Sequence, residues 1–159
     1  MSAPSRIRVV DRGADALVRA AREALGDWSV RVGIMGTEAG AAHEEAVGMT
    51  VAEVAEKHEF GVGVPRRSWL LDYVDATEEM ARRRLRSVLE AVTQRKAPLA
   101  PGLEQFGQIT VGEIQQRIAD RIDPPLSEAT VAAKGSDVPL INTGQLRSSI
   151  TYVVLRGAA

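Results

Sequence analysis

At 159 residues the chain is long enough for one domain with its own core and too short for two comfortable ones, so a single domain over residues 1–159 is expected. Apolar residues make up 45% and charged residues 26%, as in an ordinary globular protein, while only 4% is aromatic, which leaves an aliphatic, alanine-rich core. A net charge of −1 removes any whole-chain electrostatic case for nucleic acid or an anionic membrane as partner. The absence of cysteine excludes disulfides, thiolate catalysis and cysteine-based zinc sites, and it suits a reducing compartment.

Arg6-Ile7-Arg8-Val9-Val10 alternates polar and apolar residues, the pattern of a strand with one buried face. From Ala14 to Leu25 the apolar positions Leu17, Val18, Ala21, Ala24 and Leu25 fall at helical spacing, and Gly26 follows as a C-cap. No apolar run near the start is long enough for a signal peptide, and no segment is long enough to span a bilayer. Trp28 to Met35 alternates again, with Trp28, Val30, Val32 and Ile34 on one face, and predicts the central strand. Thr37–Gly48 is small, acidic and glycine-bearing and reads as a loop. Thr50-Val51-Ala52-Glu53 is a capping box that opens a helix ending at Gly61, and Gly61-Val62-Gly63 is a loop.

A second capping box, Asp75-Ala76-Thr77-Glu78, predicts a helix over 76–95 with Ala81, Leu85, Val88, Leu89 and Val92 on one face and a basic opposite face. After the break at Lys96–Gly102 a third long helix is expected over 103–122. Its Gly107 and Gly112 each cost about 1 kcal/mol against alanine, which points to close backbone packing. Asp123-Pro124-Pro125 stops that helix, and Ser127–Ala133 forms a short one. Near the end, Asn142 and Gln145 have capping-box spacing for one helical turn, and Ile150–Leu155 reads as a strand that should pair with one of the first two. The fold class is therefore α+β, a small antiparallel or mixed sheet from Arg6–Val10, Trp28–Met35 and Ile150–Leu155 packed against helices.

No catalytic set is recognisable in the sequence, and neither a cofactor nor a metal site is expected. His43 and His58 lack the spacing of the helical two-histidine metal motif despite neighbouring Glu44, Glu45 and Glu59. Arg82, Arg83, Arg84 and Arg86 form the strongest basic cluster. They read either as a solvated face with ion pairs to Glu78, Glu79 and Glu90 or as a DNA-facing surface.

Three separated stretches carry a resemblance. The run Pro139-Leu140-Ile141-Asn142-Thr143-Gly144-Gln145-Leu146, continued by Ser149-Ile150-Thr151-Tyr152, resembles the C-terminal signature of bacteriophage virion morphogenesis proteins, the tail-completion and neck family. That family usually has Asp where Asn142 stands. Ala55, His58, Glu59, Phe60 and Gly61, then Val64, Pro65, Arg67, Trp69 and Leu70, are similar to its Ala-x-x-His-Glu-Phe/Tyr-Gly and Ile-Pro-x-Arg-Pro-Phe-Leu segments, with Ser68 for proline and Trp69 for phenylalanine. Leu126, Ser127, Thr130, Val131, Lys134, Gly135 and Ser136 match its Pro-Leu-Ser-x-x-Thr-Val-x-x-Lys-Gly-Ser stretch.

The resemblance covers Thr50 to Tyr152. It implies a non-enzymatic virion component at the head–tail junction, made in the bacterial host cytoplasm and assembling as a homo-oligomeric ring, expected as a hexamer. Neighbouring connector and tail proteins would be its partners, DNA would pass through the lumen without sequence-specific contact, and no membrane is involved. Phe60, Pro65, Arg66, Arg67 and Trp69 are the candidate assembly contacts, with Trp69 read either as a subunit contact or as a core plug. The alternative function is a small nucleic-acid-binding protein using the arginine-rich helix.

Overall fold

The computed structural model describes residues 26–44, 46–94, 96–135, 137–140 and 144–157. The expected strand Arg6–Val10, the helix over 14–25 and the cap residue Asn142 lie outside them. Among the described residues there are six helices and one two-stranded antiparallel sheet, an α+β fold. Two compact units are distinguished. Val30–Val154 holds all six helices, and the other is described only at 26–29 and 155–157. In the latter the Gly157 N–H donates to Asp27 O at 2.7 Å and the Arg156 guanidinium lies 5.5 Å from the Trp28 ring centroid, a cation–π contact.

Strand β1 (Trp28–Ile34) pairs with β2 (Ile150–Arg156), so the closing strand meets an early one as the alternation predicts. Along β2, Ile150, Tyr152 and Val154 are more buried than Thr151 and Val153, the period-two pattern of a half-covered strand. The stretch expected as a loop at 37–48 is more ordered than its composition suggests. Helix α1 (Thr37–Gly40) opens it, and Ala42 bridges Thr50. His43 N–H donates to Met49 O (2.9 Å), Met49 N–H to Ala46 O (3.0 Å) and Val51 N–H to Ala41 O (2.9 Å). The backbone pairs with itself there, which no side-chain pattern signals.

Helix α2 (Val51–Phe60) has both reciprocal bonds of the predicted capping box, Glu53 N–H to Thr50 Oγ1 and Thr50 N–H to Glu53 Oε2, and ends on Gly61 in the left-handed conformation. Helix α3 (Leu71–Thr93) starts five residues earlier than the Asp75 box predicts. Thr77 lies inside it, its hydroxyl donating to Tyr73 O at 2.8 Å, and the cap comes from elsewhere in the chain. Helix α4 (Leu99–Ala119) also starts early, from Pro98 as N-cap, and carries Pro101 in its first turn. Proline is tolerated there because the first N–H groups of a helix have no intrahelical partner to lose. It ends before the expected Ile122 because Arg121 turns the chain at φ 63°, yet Ile122 itself is buried.

Helix α5 (Glu128–Lys134) is capped by Ser127 Oγ, which accepts from Thr130 N–H. The short α6 (Gln145–Ser148) begins at Gly144 with no side-chain cap. The Gln145 side chain instead reaches the 42–44 backbone: its amide donates to Ala42 O and its carbonyl accepts from Glu44 N–H, both at 3.0 Å.

The core joins Val54 and Ala55 of α2, Trp69, Tyr73 of α3, Ile114 and Ile118 of α4, Ile122, Leu146 of α6 and Ile150 of β2. Gly107 and Gly112 of α4 differ. A methyl group at Gly107 would overlap the Tyr152 ring, whereas one at Gly112 would meet nothing within 4 Å. Gly107→Ala is therefore expected to destabilise the chain, and Gly112→Ala to stabilise it by about 0.5–1 kcal/mol, both read from thermal or urea denaturation. Close packing explains the first glycine, and nothing in the structure explains the second.

Candidate functional site

Glu59, Ser68 and Trp69, which lie in the stretch over 55–70 that carries the resemblance, meet at the end of α2 and the start of α3. Glu59 is only 5% exposed, although glutamate is rarely buried without partners. Its carboxylate has four. Oε2 accepts from the Trp69 and Leu70 N–H groups, both at 3.0 Å, and Oε1 accepts from Leu71 N–H at 3.1 Å and from the Ser68 hydroxyl. Ser68 Oγ in turn accepts from Asp72 N–H at 2.9 Å. Together Glu59 and Ser68 satisfy the unpaired N–H groups at the head of α3 and place a negative group at the positive end of its dipole. This tertiary cap is why α3 starts before the local capping box.

The chain between the two helices folds back tightly. Gly61 and Val62 N–H donate to Lys57 O, and Arg67 N–H donates to His58 O at 2.7 Å. Trp69 is 4% exposed, and its indole N–H donates to Ala55 O at 3.2 Å. A side chain so covered within one chain offers no surface to a neighbour, so the core-plug reading fits its position and the contact reading does not. Arg67, also 4% exposed, is not at the surface either. Its Nε donates to Pro124 O (2.8 Å) and Nη2 to Pro125 O (3.2 Å), fastening the Pro-Pro turn to the α2–α3 connection. Among the described residues no carboxylate pairs with it, and burial pulls its guanidinium pKa down.

The other assembly candidates are outside. Phe60 is 58% exposed, Pro65 is exposed, and Arg66 is exposed while paired with Asp72 at 2.7 Å. The structure thus divides the five candidates into a buried pair, Arg67 and Trp69, and a surface trio.

The basic cluster is divided as well. Arg82 pairs with Glu78 at 2.6 Å on the surface, and Arg83 and Arg86 are exposed. Arg84 makes a forked contact with Glu113 of α4, Nη2 to Oε1 at 2.6 Å and Nη1 to Oε2 at 2.8 Å, and the Tyr73 hydroxyl donates to the same Oε2 at 2.6 Å. The Arg84 hydrogen bonds hold the Glu113 carboxyl below its ordinary value, against the opposing effect of burial, with Tyr73 adding to the depression. Burial first, and then donation to Glu113, pushes the Tyr73 phenol up.

A depressed folded-state carboxylate contributes stability above its unfolded value near 4.5 and loses it as pH falls through the folded value. Thermal midpoints of Glu113→Gln measured from pH 7 down to pH 3 are therefore expected to lie below wild type at neutral pH and to converge with it in acid. A constant difference over that range counts against this account.

Among the described residues no group of three or more His, Asp or Glu is placed to hold a metal ion, and no helix is long and apolar enough to cross a membrane. His43 Nδ1 accepts from Ala46 N–H at 3.1 Å inside its own turn. No family model matches the chain, and no curated protein or solved structure shows significant similarity to it.

Proposed function

We propose that the chain is a structural virion protein of the phage head–tail junction that assembles as a homo-oligomeric ring to complete the neck or tail. The observation that supports this reading is the convergence of the motif residues. Glu59 from one stretch caps the helix opened by Ser68 and Trp69, and Arg67 holds the carbonyls of Pro124 and Pro125 beside the next stretch. Leu146 and Ile150 of the C-terminal signature pack in the same core as Trp69. Residues of the 55–70 stretch and of the C-terminal signature thus serve one structural node, as expected when the spacing of a family signature reflects its framework. The exposed Phe60, Pro65 and Arg66 beside that node are the surface it presents to neighbours in the ring.

The test is a phage or prophage from which the gene is removed. Heads and tails accumulating unjoined, with joining restored by the supplied protein, is the expected result, and fertile particles without the protein overturn the proposal. The second reading, nucleic-acid binding through Arg82, Arg83, Arg84 and Arg86, is weakened by the engagement of Arg84 with Glu113 and of Arg82 with Glu78. Duplex DNA titrated at two ionic strengths decides it, since phosphate contacts give an affinity that falls steeply with salt.

A further inference from the structure

Helix α3 is the longest described element, with 23 residues, yet Tyr73 is its sole buried side chain, whereas the 21-residue α4 buries four residues. Helices in proteins draw most of their stability from packing an apolar face, so α3 is under-covered for its length. One stripe at i, i+3/i+4 spacing is exposed along its whole length: Leu71, Asp75, Glu78, Arg82, Arg86, Leu89. Read from either end, it has a leucine, then two charges of one sign, then two of the other, then a leucine.

The helix dipole does not account for this order, because the dipole acts within the terminal turns and the change from acid to arginine comes in mid-helix. Pairing within the helix accounts for only part of it. Glu78 and Arg82 bond to each other, but Asp75 and Arg86 have no ion pair among the described residues.

We infer that this stripe is a contact between two copies of the chain, α3 against α3, antiparallel about a two-fold axis that crosses the stripe midway between Glu78 and Arg82. In that register Leu71 meets the second copy's Leu89, Asp75 meets its Arg86, and Glu78 meets its Arg82, each contact occurring twice, as an isologous interface requires. The occupant is a second copy because the charge pattern is complementary to itself when reversed. Other partners would need a matching stripe of their own, which nothing in this chain specifies. Beside the acidic half an apolar groove of about 390 Å3, with Leu71 and Val74 on one wall and Val30 and Phe106 on others, gives the incoming Leu89 somewhere to go. A two-fold contact joins two chains and does not by itself close a ring, so it stands independently of the ring reading.

The chain has no cysteine, so single introduced thiols report the geometry cleanly. With the full-length protein and diamide as oxidant, Glu78→Cys mixed with Arg82→Cys is expected to give a disulfide-linked dimer, because those two positions face each other across the two-fold axis. Leu71→Cys and Leu89→Cys are expected to cross-link when mixed and not alone. By sedimentation, Arg82→Glu/Arg86→Glu and Asp75→Lys/Glu78→Lys should each weaken dimerisation at least tenfold with helix content retained by circular dichroism, and an equimolar mixture should restore it.

Ladders longer than a dimer, cross-links formed within one chain, or charge-reversed variants that associate like wild type overturn the inference. So does a wild-type chain that stays monomeric at its highest soluble concentration. None of these outcomes touches the ring reading, which the joining assay decides separately.

Discussion

Trp69→Ala is expected to lower the stability of the chain by about 3–5 kcal/mol, the range for deleting a large buried aromatic side chain. Trp69 belongs to one buried cluster with Ala55, Tyr73, Ile114, Ile118 and Leu146, so its loss opens a void in the core that α2, α3, α4 and α6 share. Its N–H bond to Ala55 O goes with it. Collapse around the void is restricted, because Glu59 fixes the backbone of Trp69, Leu70 and Leu71 from one side and Arg67, two residues before the tryptophan, is tied to the Pro124–Pro125 turn. Urea denaturation followed by far-UV circular dichroism measures the change. A variant as stable as wild type but unable to join heads to tails would return Trp69 to the subunit interface, contrary to its burial. Trp69→Phe separates the two contributions, since it keeps most of the apolar area and removes the indole donor.

What the sequence made legible and what it did not divide along physical lines. Periodicity and local caps marked β1, α2, α5 and β2 to within about a residue at most boundaries, because period-two alternation marks a half-covered strand and the caps of the two helices join residues three or four apart. The start of α3 was misread for the opposite reason. Asp75-Ala76-Thr77-Glu78 has the letters of a cap, but the carboxylate that caps the helix is Glu59, nine to twelve residues away in sequence and on another helix. No spacing rule describes such a bond. Pro101 likewise looks like a helix breaker until it is placed in the first turn.

The candidate site was legible as a set of residues and not as a set of roles. The motifs named Glu59, Arg67, Ser68 and Trp69, but Arg67 donates to proline carbonyls, and a backbone acceptor leaves no mark on residue type. Burial settled what composition could not. Trp69 and Arg67 turned inward, while Phe60 and Pro65 stayed outside. The Tyr73–Glu113–Arg84 cluster was missed altogether, since its members come from two helices and share no local pattern. The nearest signal was the choice of Glu113 on the inner side of an otherwise apolar-facing helix.

Glu59→Ala is expected to cost at least about 3 kcal/mol, because it strands several donors at once in a place that water does not reach. Four groups lose their acceptor: the N–H groups of Trp69, Leu70 and Leu71, and the Ser68 hydroxyl. The hydroxyl can rotate to another partner, but the backbone N–H groups cannot, and each unmade buried bond costs about 1–3 kcal/mol. Local relaxation offsets part of the sum, chiefly by fraying the first turn of α3 so that water reaches Leu71. That relaxation has its own consequence, since Ser68, Trp69 and the ion pair of Asp72 with Arg66 all hang on the same turn.

Glu59→Gln is the sharper variant. It keeps the shape and one acceptor oxygen but turns the other into an amide facing N–H groups, so most of the loss should remain although the volume is unchanged. Combined with Trp69→Ala, either substitution is expected to be less than additive, because each already frees the segment that the other holds. Denaturation of the single and double variants measures this coupling, and full additivity would show that the cap and the tryptophan stabilise α3 independently.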